Sequence, residues 1–275
     1  VVIIGQLNDI VESTLVNDVS KATVLTNTDW IQPGVASWNY WSNNHGTKDF
    51  KVVKEFADLA AAMNWKYTLL DWEWDQMTNG GNLEDAVNYI HSKGIKPLMW
   101  YNSGKFKWIT STPVDRMLTH ENRIKEFEKL NRIGVYGVKV DFFLSEKQDM
   151  MNYYLDILED AAKYKIMVYF HGCLVPRGWE RTYPHLMTYE AVRGAEWYNN
   201  GSELTTTAAQ HNNTLAYTRN VVGSMDYTPV TFTNSQFPHI TSYGHELALS
   251  IIFESGIQHM ADRTEGYYEL SDAAK

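Results

Sequence analysis

Acids collect where short apolar runs end: Asp71, Glu73 and Asp75 close the run from Tyr67, Asp141 closes Gly137 to Val140, and Glu190 follows Leu186 to Tyr189. Asp226 and Asp262 stand in the same relation to two later runs. A carboxylate beside Val138, Val140, Phe142 and Phe143 is expensive to bury unless it is paired, hydrogen-bonded or set at an open mouth. In parallel α/β folds that mouth lies at the C-terminal strand ends, where acids far apart in sequence can flank one substrate bond. For any one acid taken alone, capping of the next helix or pairing with a cation is the competing explanation. Lys139, two residues before Asp141, shares its face of the strand, so it could bind a sugar hydroxyl and keep the acid ionised.

Aromatic and polar residues accompany these acids: Trp38 and Trp41 on the first run, Trp72 and Trp74 on the second, Trp100, Tyr101 and Asn102 on the third, and His171 on the fifth. The mixture suits a carbohydrate, whose apolar ring face stacks on indole while its hydroxyls meet carboxylates, Lys and His. Other chemistries lack their residues. No Gly-x-Gly-x-x-Gly follows the first run, no phosphate-binding Gly-rich loop is present, the His residues have no zinc-site spacing, and no Gly-x-Ser-x-Gly elbow occurs. Cys173, the single cysteine, reads as structural and cannot form an internal disulfide.

The elements that must position these residues alternate. Apolar runs at Ala36 to Trp41, Tyr67 to Trp72, Lys96 to Tyr101, Gly137 to Phe143, Ile166 to His171, Leu186 to Tyr189, Gly223 to Thr228 and Gly256 to Met260 predict strands. Amphipathic stretches at Val52 to Met63, Leu83 to Ser92, Asn122 to Arg132, Lys147 to Tyr164 and His245 to Glu254 predict helices. Eight strands with intervening helices in 275 residues match an α/β (β/α)8 TIM barrel, typically about 250 residues, with a doubly wound sheet as the alternative. Residues 193–222, rich in Gly, Asn and Thr, break the rhythm and read as a long strand-to-helix insertion near the active face. The first 30 residues contain no barrel unit and read as a linker. A net charge of -9 argues against a nucleic-acid partner, and no run approaches 18 apolar residues, so no membrane span is expected. No signal peptide is visible at Val1 to Gly5.

With those residues assembled, the chain resembles glycoside hydrolase family 97. The segments that carry the resemblance are Trp30 to Trp38, Leu69 to Glu73, Gly137 to Phe142, Met187 to Glu196 and Gly256 to Asp262. The resemblance implies a catalytic barrel over residues 31–275, residues 1–30 as a linker or the edge of a missing N-terminal β-sandwich domain, and a missing C-terminal β domain. It implies a calcium ion held by carboxylates at Glu190 and Glu196, and a periplasmic location. Inverting members carry a glutamate directly after the fifth-strand histidine and lack the fourth-strand acid. Here Gly172 follows His171 and Asp141 is present, the pattern of the retaining branch active on α-galactosides. By that match Asp141 is the nucleophile, Glu196 the general acid and base, and Lys139, His171, Trp38 and Asp71 contact the sugar. The expected partner is an α-galactoside. The rival readings are an α-glucosidase on the same barrel and a non-catalytic carbohydrate-binding barrel.

Overall fold

The computed structural model describes residues 2–39, 46–234 and 237–270. Among the described residues, seven strands form one parallel sheet: β1 (Gly34–Trp38), β2 (Tyr67–Leu70), β3 (Lys96–Asn102), β4 (Gly137–Asp141), β5 (Met167–Phe170), β6 (Leu186–Tyr189) and β7 (Ile257–Met260). Their order is β6-β5-β4-β3-β2-β1-β7, so the sheet curls until its two ends approach as a nearly closed barrel. Helices cover its outside: α1 (Phe50–Ala62), α2 (Leu83–Ser92), α3 (His120–Ile133), α4 (Gln148–Lys163), α5 (Ser202–Ala216) and α6 (Tyr243–Ile252). The chain folds as a (β/α)8-type barrel, as the alternating pattern predicts.

The seventh predicted strand, Gly223 to Thr228, is a correction. Residues 224–230 are buried between β6 and β7 but form no ladder. The Tyr227 amide turns back onto the Met225 carbonyl at 3.1 Å, and Thr228 and Val230 have φ of 54° and 70°, which no extended strand allows. Single bonds replace the ladder on both sides: Asp226 N donates to Tyr189 O on β6 at 2.9 Å, and His259 N on β7 donates to the Asp226 carboxylate at 3.3 Å. Residues 193–222 are likewise not loop throughout, since they contain a 3-10 turn, Ala195–Asn199, and all of α5. Tyr40 and Trp41, at the end of the first predicted strand, lie outside the described residues.

The two-residue period of the strands sorts side chains between two cores. Outward residues Leu70, Met99, Val138, Val140, Val168 and Phe170 pack on Val53, Val87, Phe127 and Ile157 of the helices. Inward residues Ala36, Trp38, Tyr67, Leu69, Leu98, Trp100, Met167 and Tyr169 fill the barrel. Continuing the inward parity one step places Asp71, Asp141 and His171 over that interior layer, with Asp71 and Asp141 at one mouth and His171 buried behind it.

A buried carboxylate ties two of the outer helices together. Arg123 of α3 donates to Asp160 of α4 at 2.8 Å with both side chains 4% exposed, and His120 and Lys163 reach the same carboxylate at 3.0 and 3.1 Å. Burial works to raise the Asp160 pKa, but the donors from His120, Lys163 and Arg123 prevail and hold it below the ordinary carboxylate range. A depressed carboxyl stabilises the fold above its unfolded pKa of about 3.9 and loses that contribution as pH falls through its folded value. Arg123→Met should destabilise the protein by about 1.5–3 kcal/mol at neutral pH in urea unfolding, because Asp160 loses its buried charged donor and keeps Lys163 and His120. The difference should shrink on the acid side as Asp160 takes up a proton.

Candidate active site

At the C-terminal mouth lies a cavity of about 880 Å³, bounded by Trp38, Asp71, Trp72, Trp100, Lys139 and Asp141 from the strand ends and by Glu190, Glu196 and Trp197 from the loop after β6. Its floor is a charged cluster. Lys139 Nζ donates to Asp71 Oδ2 at 3.2 Å, Trp38 Nε1 donates to the same oxygen at 2.8 Å, and the ammonium sits 4.5 Å from the Trp38 ring centre. Burial acts to lower the Lys139 pKa, but Asp71, Asp141, Glu196 and Glu190 together raise it, so the ammonium stays charged. Lys139 thus holds Asp71 directly, and its influence on Asp141 acts through space.

Asp141 accepts from Trp100 Nε1 at 3.0 Å and from the Phe142 amide at 2.7 Å. Both bonds favour the ionised form and aim the carboxylate into the cavity. Burial nevertheless raises its pKa, as does Glu190, against the lowering fields of Lys139 and His171. The backbone cooperates at the neighbouring strand end. A Cβ on Gly172 (φ 50°) would stand 2.7 Å from the Phe142 nitrogen and 2.8 Å from Asp141 Oδ1, so the observed carboxylate position requires a residue with no side chain there.

Glu196 comes from the 3-10 turn Ala195–Asn199, which is pinned under the irregular segment by Ala195 N to Tyr227 O at 2.9 Å and Glu196 N to Thr228 Oγ1 at 3.2 Å. Burial and the adjacent Glu190 carboxylate push the Glu196 pKa well above its usual range, with Lys139 opposing. Glu190 also accepts from the Gly172 amide at 2.6 Å. The site therefore holds one carboxyl tuned to keep its proton beside another that receives two donors, a division that serves acid and nucleophile.

His171 stands behind this group. Its Nε2 donates to Asp226 Oδ2 at 2.7 Å, its Nδ1 lies 3.7 Å from Glu190 Oε1, and His259 Nδ1 reaches the same Asp226 oxygen at 2.6 Å. Burial works against ionisation of Asp226, but His259 and His171 hold its pKa far below normal. His259 was not singled out from the sequence, although its inward parity on β7 carried the signal.

Of the sequence-predicted acids, Asp71, Asp141 and Glu190 line the cavity together with Glu196. The remainder do not. Glu73 pairs with Lys48 at 3.4 Å, Asp75 accepts from Thr112 at 2.9 Å, and Asp262 caps the amides of Phe232 and Thr233 at 2.6 and 3.0 Å. Among the aromatics, Trp38, Trp72 and Trp100 reach the cavity, whereas Trp74 and Tyr101 face the helices. Trp197, Asn199 and Asn200 line it without having been marked in the sequence.

The family model of glycoside hydrolase 97 matches residues 30–192, more than half the chain and including Asp71, Lys139, Asp141, His171 and Glu190. The chain belongs to glycoside hydrolase family 97. It is 36% identical to a probable retaining α-galactosidase of Streptomyces bingchenggensis over 96% of this chain and 41% of that protein. It is 27% identical to a retaining α-galactosidase of Bacteroides thetaiotaomicron over 88% of this chain and 38% of that protein. This family 97 chain thus spans about two fifths of the length of the curated relatives it matches. Among solved structures it superposes on a β-arabinopyranosidase with a TM-score of 0.90 at 31% identity, covering 98% of this chain and 44% of that one. A family 97 enzyme from Pseudoalteromonas sp. strain K8 has the same fold, with a TM-score of 0.80 at 22% identity over 97% of this chain and 46% of that one.

Proposed function

We propose that this barrel is the catalytic unit of a retaining, exo-acting α-galactosidase, with Asp141 as nucleophile and Glu196 as general acid and base. The observation that carries the reading is that Asp141 and Glu196 line one cavity, with Gly172 clearing the space Asp141 occupies. The names of the two curated relatives support the same activity.

Asp141 attacks the anomeric carbon as the bond to the leaving oxygen breaks, and the proton on Glu196 passes to that oxygen. A glycosyl ester of Asp141 results. Water then attacks the same carbon, Glu196 takes its proton, and the ester bond breaks to release a sugar of unchanged anomeric configuration. Asp71 and Lys139 offer an acceptor and a donor side by side at the cavity floor for sugar hydroxyls, while the Trp38 ring packs beneath the ammonium and His171 is held in place by Asp226. Proton NMR of a nitrophenyl α-galactoside digest should show the α-anomer of galactose first. Appearance of the β-anomer first would sink the retaining assignment.

A second sugar is favoured by the arabinopyranosidase likeness. A β-L-arabinopyranoside is an α-D-galactopyranoside without its hydroxymethyl group, so one site can address the hydroxyls of both. Paired assays of the two nitrophenyl glycosides, with the α-glucoside as a third, would rank them. The periplasm is proposed as the place of action.

We also propose calcium at this site. Glu190 and Glu196 would hold it, and the donor chemistry fits: both offer hard oxygen ligands, and without a cation their closeness is relieved by the proton that Glu196 retains. Calcium takes 6–8 oxygens, so water, substrate or polypeptide outside this chain would complete the set. When bound, the ion would supply positive charge that holds a sugar hydroxyl and steadies the two carboxylates. Chelation of the full-length enzyme should lower both activity and Tm, and calcium should restore both. Indifference of the two to chelator and calcium would exclude this role.

A further inference from the structure

Trp197 follows the acid on the same 3-10 turn and has no part in the bond-making steps. Its ring lines the cavity yet is 38% exposed, so it forms rim rather than floor. The Arg193 guanidinium lies 5.0 Å from its ring centre, and Arg193 is itself tied to Glu203 at 3.2 Å. Asn199 and Asn200, on or just past the same turn, contribute carboxamides to the same wall.

The reaction fixes what this wall must face. Glu196 gives its proton to the oxygen that joins the two halves of the substrate, so the leaving half extends past Glu196 and away from the Asp71 and Lys139 floor. Trp197 is the aromatic residue of the cavity wall carried by the same turn as Glu196. We propose that Trp197, backed by Arg193 and flanked by Asn199 and Asn200, is the leaving-group subsite and takes a second pyranose of an α-linked oligosaccharide. An indole face matches the apolar C–H face of a pyranose, and the guanidinium behind it restrains the ring. Carboxamides both donate and accept, which suits hydroxyls at the ring edge. A different exposed indole, Trp108, lies tilted against Phe106 with ring centres 6.1 Å apart and does not border the cavity, so exposure alone does not make such a wall.

The proposal rests on the glycosidase reading, and two substrates separate the two. In the full-length protein, kcat/KM is measured for an α-galactosyl disaccharide and for α-galactosyl fluoride, whose leaving group has no ring to stack. Trp197→Ala should lower the ratio of disaccharide to fluoride kcat/KM about tenfold, equivalent to about 1.4 kcal/mol of lost contact. Trp197→Phe, which keeps an aromatic face, should restore most of the ratio. A ratio unchanged in Trp197→Ala, or equal losses on both substrates, would overturn the subsite. A wild-type protein that hydrolyses neither substrate overturns the glycosidase reading, and the subsite with it.

Discussion

Asp141→Ala should lower kcat by on the order of 10⁴ to 10⁶, the range seen when a nucleophile is removed from a site whose other parts remain. The fold should survive, because the side chain accepts from Trp100 Nε1 and the Phe142 amide at the cavity wall, where water can replace it. A small anion such as azide, entering the space vacated, should restore part of the turnover with an activated substrate and give a glycosyl azide of inverted configuration. Turnover within about tenfold of wild type would move the nucleophile's role to another cavity acid. The rescue product distinguishes the cases that rate alone does not, since only loss of the attacking group reverses the stereochemistry.

The second large effect belongs to Glu196. Glu196→Gln should lower kcat/KM for a sugar leaving group by about 10²–10⁴, the usual contribution of a positioned proton donor. An activated nitrophenolate should lose far less in the first step, because it departs without a proton. The sign of the pH effect follows from the proposed role: a proton donor acts only while it holds its proton, so wild-type activity should fall on the alkaline side as Glu196 loses it. Glutamine cannot titrate, so the alkaline limb should vanish from the residual activity. A limb that persists unchanged in Glu196→Gln would assign the proton donor elsewhere.

Much of this site is legible in the sequence because it obeys one period. Trp38, Asp71, Trp100, Asp141 and His171 all fall on the inward parity of their strands, and a two-residue repeat needs only the strand boundaries to be read. The fold follows from the same alternation. What is not legible depends on irregular backbone. Residues 223–228 fall where the alternation calls for a strand, but the positive φ at Thr228 and the turn at Tyr227 accompany the tertiary bond from Ala195, which no local pattern announces. Glu73, Asp75 and Asp262 share the strand-end position of the acids that line the cavity and differ only in where the following loop turns them. Glu73 itself has φ of 64° and faces Lys48. Trp197 is hidden for a similar reason, since a 3-10 turn inside a polar insertion gives too few residues for a periodic signal.

The clearance at residue 172 also limits how such a barrel can change. Any side chain there meets the Asp141 carboxylate and the Phe142 amide, so a carboxyl on the fifth strand end and a carboxyl on the fourth compete for one volume. Adding the one without removing the other strains the backbone and displaces the Asp141 carboxylate, and on the proposed roles removing Asp141 alone takes away the attacking group. A switch between the two arrangements of acids therefore has no working single-step intermediate, and the two stereochemical outcomes are separate solutions rather than neighbouring ones.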